Sequence, residues 1–273
     1  MVFYHILLLG MLLGFPSLSH AFTLDNVFYV DIFSNQYLYA EKLVNVNQKE
    51  RSQGFEINAV TPVFSTDSGL INLNSAFFYD YGTNVAGAGI GPIYRRKLDD
   101  GSLFGIYGLI NYSDNEFKMQ NTVFNLGSEI YSRYFDIHVN NFIPIHEDTT
   151  TIGDISYKPM RGHEILLSRK IPLSYTFDIV LESSIGHYFD TESDDKYSFS
   201  RIGLQFSSKS GKASSLAIAA ELGNDAKTRY GLRLQHSWMD STAVASSSLN
   251  QSMLAAPYTQ RYPVFGELNV DAS

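Results

Sequence analysis

Residues 124–145, "FNLGSEIYSRYFDIHVNNFIPI", alternate between two faces almost without a break. Phe124, Leu126 and Ile130 point one way; Asn125, Gly127 and Glu129 point the other. The pattern restarts after Ser132 and Arg133, where Phe135, Ile137, Val139 and Ile143 oppose Asp136, His138 and Asn140. A period of two is that of a strand, whose successive side chains leave opposite faces of a sheet. Strands that are apolar on one face and carry acids and imidazoles on the other need two different surroundings at once.

The same period recurs along the chain. Strands are expected near 55–63, 70–81, 85–97, 102–112, 122–132 and 134–144, then near 162–171, 175–188, 197–207, 213–222 and 228–238. One more falls between 25 and 48, where both Val27–Phe33 and Leu43–Asn47 qualify. The total is about twelve strands of roughly ten residues, longer than the usual five or six and matched to a tilted membrane crossing. No helical period is sustained in this region, and every link is a hairpin or a simple loop, which predicts an antiparallel meander. The 18 Tyr and 19 Phe suit a pleated surface.

The links alternate in length. "STDSG", "LDDG", "SR", "PLS" and "SKSGK" are short; between them stand "GTN", "SDNEFKMQN", "IHEDTTTIGDISYKPMR", "DTESDD" and "GNDA", three of them long, polar and acidic. Outer-membrane barrels put short turns on the periplasmic side and longer loops outside. The loop at 145–161 is therefore expected at the cell surface.

One face of each strand is apolar, as in Ile71, Leu73, Phe77, Tyr79 and Tyr81, or Tyr175, Phe177, Ile179, Leu181 and Ile185. The opposite face carries Glu56, Asp80, Glu129, Asp136, His138, Asp178, Glu182, Arg201, Glu221, Arg229 and Arg233. A soluble twelve-stranded barrel has more interior than side chains fill. Apolar outward and charged inward suits lipid, and closure satisfies every backbone group there. The reading is all-β: an antiparallel up-and-down transmembrane β-barrel of about 12 strands, whose eleven charged residues line a wet lumen. A secreted β-sandwich or lipocalin-like barrel is the competing fold.

Residues 1–21 read as a signal peptide, with "ILLLGMLLGF" as apolar core and Ser19-His20-Ala21 before the cleavage point, although no Lys or Arg precedes the core. The competing reading is an N-terminal anchor. The barrel then spans 22–238 and a C-terminal tail 239–273. A net charge of −8 gives no footing for a nucleic-acid partner. The absence of cysteine excludes disulfides and thiolate metal sites.

The segment "GFEINAVTPVFSTDSGLINLNSAFFYDYGTNVAGAGIGPIYRRKLDDGSLFGIYGLINYSDN" resembles the barrel of the inverse autotransporters, the intimin and invasin group. "NLGSEIYSRYFDIHVNNFIPI" is similar to that family's next hairpin and "YKPMRGHEILLSRKIP" to the strand after it. The resemblance covers roughly 53–238, best between 54 and 172. It implies a twelve-stranded outer-membrane barrel whose chain returns through the lumen and carries an adhesin outside. Only 35 residues follow Trp238 in this sequence. The expectation is therefore a barrel without its passenger, and adhesion or invasion does not carry over.

The tail adds candidate plug residues. "STAVASSSLNQSMLAA" suits a short helix closed by Pro257; "YTQRYPVFGELNV" reads as extended, with Pro263 stopping any helix and Arg261 available to lumen carboxylates such as Glu129 or Asp136. The alternative is a disordered periplasmic tail. No catalytic signature stands out. A barrel enzyme would need a rim pair, for which Asp136 with His138, or His146-Glu147-Asp148, are the candidates. "HED" and "DTESDD" lack the spacing of a cation loop, and the seven His show no ligand spacing. Neither cofactor nor metal is expected. The leading function is a non-enzymatic barrel of translocation type; the alternative is a passive pore whose lumen charges tune selectivity. Expected partners are outer-membrane lipid and the barrel-assembly machinery, which reads a last strand such as Tyr230, Leu232, Leu234 and Trp238. No surface partner is indicated.

Overall fold

The computed structural model describes residues 27–35, 52–66, 68–81, 84–115, 120–146, 150–152, 155–174, 177–190, 196–208, 214–224, 228–238 and 265–268. Twelve strands close into one antiparallel barrel. In chain order they are β1 (Val27–Asn35), β2 (Ser52–Ser65), β3 (Gly69–Asp80), β4 (Val85–Lys97), β5 (Leu103–Asn115), β6 (Asn121–Tyr131) and β7 (Phe135–His146). After two short strands, β8 (Thr150–Ile152) and β9 (Ile155–Pro159), follow β10 (Arg161–Pro172), β11 (Phe177–Phe189), β12 (Lys196–Ser208), β13 (Ser214–Gly223) and β14 (Thr228–Trp238). Each barrel strand pairs with its sequence neighbours, β7 pairs with β10, and β1 closes the ring against β14. Of the two segments that qualified as first strand, Val27–Phe33 lies in β1, which pairs with β14 and with β2, and Leu43–Asn47 lies outside the described residues.

The outward face is the apolar one. Ile90, Ile110, Leu126, Ile185, Ile202 and Ile218 lie among the most exposed hydrophobic side chains of the described residues, with Ile202 70% accessible. Aromatic rings mark both ends. Tyr94, Phe104, Phe135, Phe177 and Phe206 stand out at the short-turn end, and Tyr81, Tyr112 and Tyr230 at the other. An apolar band between two aromatic girdles is the outer signature of a barrel in lipid.

Side chains staple the short turns. Thr66 accepts the Gly69 N–H at 2.9 Å, and Ser132 Oγ accepts that of Phe135 at 3.0 Å. At the β4–β5 turn Gly101 takes φ +81°, and Asp100 accepts both the N–H and the hydroxyl of Ser102, at 2.9 and 2.6 Å. Those hydrogen bonds hold the Asp100 carboxyl below the usual carboxylate range.

The inward glycines have a packing reason. Gly87, Gly127, Gly162 and Gly186 lie directly across from Phe78, Tyr107, Tyr188 and Phe199 on the neighbouring strands. Each ring lies over its glycine, where a Cβ would collide with it. At Gly91 the obstacle is the backbone of Gly108 and Leu109 in β5, and the β4–β5 register is interrupted between Ile90 and Ile93. In "AGAGIGP", Gly87 therefore leaves room for the Phe78 ring and Gly91 for the close approach of the β5 backbone. Gly127→Val should displace the Tyr107 ring and destabilise the barrel by about 1–3 kcal/mol, as overpacking does, measured by urea unfolding in lipid vesicles.

The long link 145–161 is not a plain loop. β8 and β9 form a hairpin, and β15 (Phe265–Leu268) joins it as third strand in the order β15-β9-β8. Phe265–Leu268 runs antiparallel to Ser156–Pro159.

Candidate functional site

All eleven predicted lumen residues fall on the inward parity of their strands. Asp80, Glu129, Asp136, His138, Glu221 and Arg229 are buried; Glu56, Asp178, Glu182 and Arg201 are half-buried; Arg233 is exposed. Their surroundings differ around the wall. On β2–β5 the inward side chains Val60, Asn72, Phe78, Ile93 and Leu109 are 0% exposed. This wall is packed as a protein interior is, with apolar side chains and the asparagines Asn58, Asn72, Asn74 and Asn111 among them, and Asn125 on β6 and Asn140 on β7 continue it. Tyr107 donates its hydroxyl proton to Asn140 across it. The wall of β11–β14 near the short-turn end is different. There Asp178, Glu182, Gln205, Ser207, Ala217 and Arg233 retain solvent contact.

The charges gather in two clusters at opposite ends. At the short-turn end Arg95, Gly105 and Glu129 lie side by side on β4, β5 and β6. Arg95 Nε donates to Glu129 Oε1 at 2.5 Å, with both side chains fully buried. Gly105 is the gap they meet across: a Cβ there would stand 2.6 Å from Glu129 Oε1. Tyr131 donates to Glu129 Oε2 at 3.0 Å, and His138 Nδ1 lies 3.7 Å from the same oxygen. Lys170 pairs with Asp136 at 2.9 Å and lies 6.0 Å from the Tyr131 ring, which also faces the Arg95 guanidinium at 5.6 Å.

The second cluster lies toward the long-loop end. Arg201 pairs with Glu221 at 2.6 Å and with Glu164 at 3.4 Å. Tyr197 donates to Glu221 at 2.8 Å and accepts from Arg229 at 3.4 Å. Lys158 Nζ, in the link, reaches Asp190 at 4.0 Å. Arg95, Glu164 and Lys158 escaped the sequence reading. Arg95 and Arg96 are adjacent, so only a fixed register decides which one turns inward. No group of three or more His, Cys, Asp or Glu placed to hold a metal occurs among the described residues.

β14 ends at the short-turn end, at Trp238, whereas β15 pairs with β9 at the long-loop end. The chain therefore appears at the second mouth after leaving the barrel at the first. Pro257, Arg261 and Pro263 lie outside the described residues.

A closed ring of membrane-length strands, greasy outside and polar or packed within, is an outer-membrane β-barrel. The chain belongs to the inverse autotransporter β-domain family, whose model matches residues 26–198, more than half of the sequence. A membrane protein solved in a study of in-meso crystallization superposes with a TM-score of 0.66 at 13% identity, covering 89% of this chain and 99% of that one. An outer-membrane channel from Pseudomonas putida F1 superposes with a TM-score of 0.54 at 8% identity, covering 82% and 99%. At such identities the likeness is one of fold. No curated protein sequence matches the chain.

Proposed function

We propose that the barrel is a translocation scaffold for its own C-terminal segment, which crosses the lumen and is held at the outer mouth by β15. One observation carries this reading: the covalent chain leaves the barrel at Trp238 on one side and is paired with Ser156–Pro159 on the other. Reach is not limiting. β14 has 11 residues, a length of roughly 36 Å. The linking residues 239–264 reach roughly 39 Å even if wholly helical. A path outside the wall would put peptide groups into hydrocarbon at several kcal/mol each, so the lumen is the affordable route. The packed β2–β5 wall fits a lumen filled by more than its own side chains. Assembly machinery and outer-membrane lipid are the partners this reading needs.

The proposal is tested by cross-linking on intact cells. The chain has no cysteine, and Tyr157 faces Glu267 in the β9–β15 register. A Tyr157→Cys/Glu267→Cys double variant should form an internal disulfide on mild oxidation, and neither single variant should. Failure of the double variant to cross-link sinks the route. Deleting residues 239–273 should raise single-channel conductance in planar bilayers. Equal conductance of full-length and truncated barrels favours the pore reading, which the half-open β11–β14 wall supports.

The same reading is non-enzymatic. His138 faces Glu129 inside the packed wall, and the hydroxyl beside them, that of Tyr131, donates to the carboxylate. The nearest approach to a nucleophile–base pair is on the outside, where His187 Nδ1 lies 2.7 Å from Ser198 Oγ. Beyond Ser198, the His187 ring packs against the rings of His163 and Phe189. A triad needs a third group to orient the imidazole, and no described carboxylate or amide does so.

A further inference from the structure

We infer that the outward faces of β10, β11 and β12 at the long-loop end form a binding site for the phosphorylated headgroup of an outer-leaflet lipid. The inference rests on the outer-membrane placement and on the long-loop end facing outward. The register aligns two rows across these strands. Arg161, Phe189 and Lys196 form the row at the rim; His163, His187 and Ser198 form the row below it. All six have the outward parity, and Arg161, His163 and Lys196 are exposed. The two imidazole centroids are 5.6 Å apart, and the His187–Ser198 hydrogen bond ties the second and third strands together. That bond occupies Nδ1 and leaves the Nε2 edge of His187 to a ligand.

The rows beneath change character. Ile165, Ile185 and Ser200 come next, then Leu167, Ser183 and Ile202; the four aliphatic side chains are 43%, 57%, 48% and 70% exposed, and the two serines lie between them. Cations at the rim, imidazole and hydroxyl donors below, and an apolar slope beneath them reproduce the order of a lipid: phosphate, headgroup, acyl chain. Guanidinium and ammonium groups are the side chains that bind phosphate, the first bidentate and the second as a point charge. At the other end of the same strands Arg169 stands across from Leu181 and Leu204, without imidazoles beside it. The link 191–195 carries Glu192, Asp194 and Asp195 and lies outside the described residues.

The test uses the full-length barrel in phosphatidylcholine nanodiscs doped with diphosphorylated lipid A or with its dephosphorylated form. Lipid retained after detergent extraction is counted by native mass spectrometry. The phosphorylated form should be retained about tenfold better, equal to about 1.4 kcal/mol. R161Q/K196Q should erase that preference, and R96Q/R169Q at the opposite end should keep it. Equal retention of the two lipids by the unmodified barrel overturns the site. A preference that survives in R161Q/K196Q overturns it as well. If R161Q/K196Q does not reach the heat-modifiable folded form, H163Q/H187Q is held to the same criterion. The cross-link between β9 and β15 is unaffected by either outcome, so failure here is distinguishable from failure of the translocation reading.

Discussion

Glu129→Leu should destabilise the barrel by about 3–5 kcal/mol, because it removes one partner of a fully desolvated ion pair and leaves the other charge in place. Arg95 and Glu129 are both 0% exposed and meet at 2.5 Å. The Tyr131 hydroxyl and the His138 ring, 3.0 and 3.7 Å from the second carboxylate oxygen, lose the same acceptor. The double variant Arg95→Met/Glu129→Leu removes both charges and keeps the volume. It should be more stable than Glu129→Leu alone, since replacing a buried pair by apolar groups is often near neutral. Gly105→Val should reproduce the single-variant loss with both charges present, by wedging a side chain into the gap between them. Urea unfolding in lipid vesicles, followed through the single tryptophan, Trp238, reads all three. A double variant as unstable as the sum of its singles would show that the two residues do not act as a pair.

The strands were legible because a barrel wall in lipid imposes one period on every strand. The segment expected at 85–97 is the strand Val85–Lys97, and Glu129, Asp136 and His138 share the parity of the buried positions of their strands. What parity does not carry is density. Val60, Ile93 and Leu109 point inward and look, in sequence, like any strand residue; that they are packed to zero exposure depends on what fills the lumen. The first strand was ambiguous for a related reason. Val27–Phe33 and Leu43–Asn47 have the same pattern, and the former closes the ring between β14 and β2. The mouth sheet was not legible at all. "TTI" and "ISYKP" are too short and polar to announce strands, and β9 finds its partner β15 far along the chain. The Arg161 to Ser198 patch was missed because its residues are unremarkable within each strand; they form a patch only once three strands are in register.

Leu234→Arg and Arg233→Leu should separate the two faces of the last strand by their cost. Leu234 is 46% exposed on the outward parity and sits opposite Leu216, itself 39% exposed, within the apolar band. A guanidinium there must lie in hydrocarbon or drag water to itself, which costs roughly 2–4 kcal/mol near the bilayer midplane. Arg233 is one residue earlier on the opposite parity, in the part of the lumen wall that keeps solvent contact. Its replacement by leucine removes a charge that acts on the Glu182 carboxylate but exposes nothing to lipid, so a loss of about 1 kcal/mol or less is expected, as for a solvent-screened ion pair. The heat-modifiable fraction on gels and the urea midpoint in vesicles should both fall for Leu234→Arg and stay near the parent value for Arg233→Leu. Equal damage from the two would mean that neither face of β14 touches lipid preferentially, and the membrane assignment of this wall would fall with it.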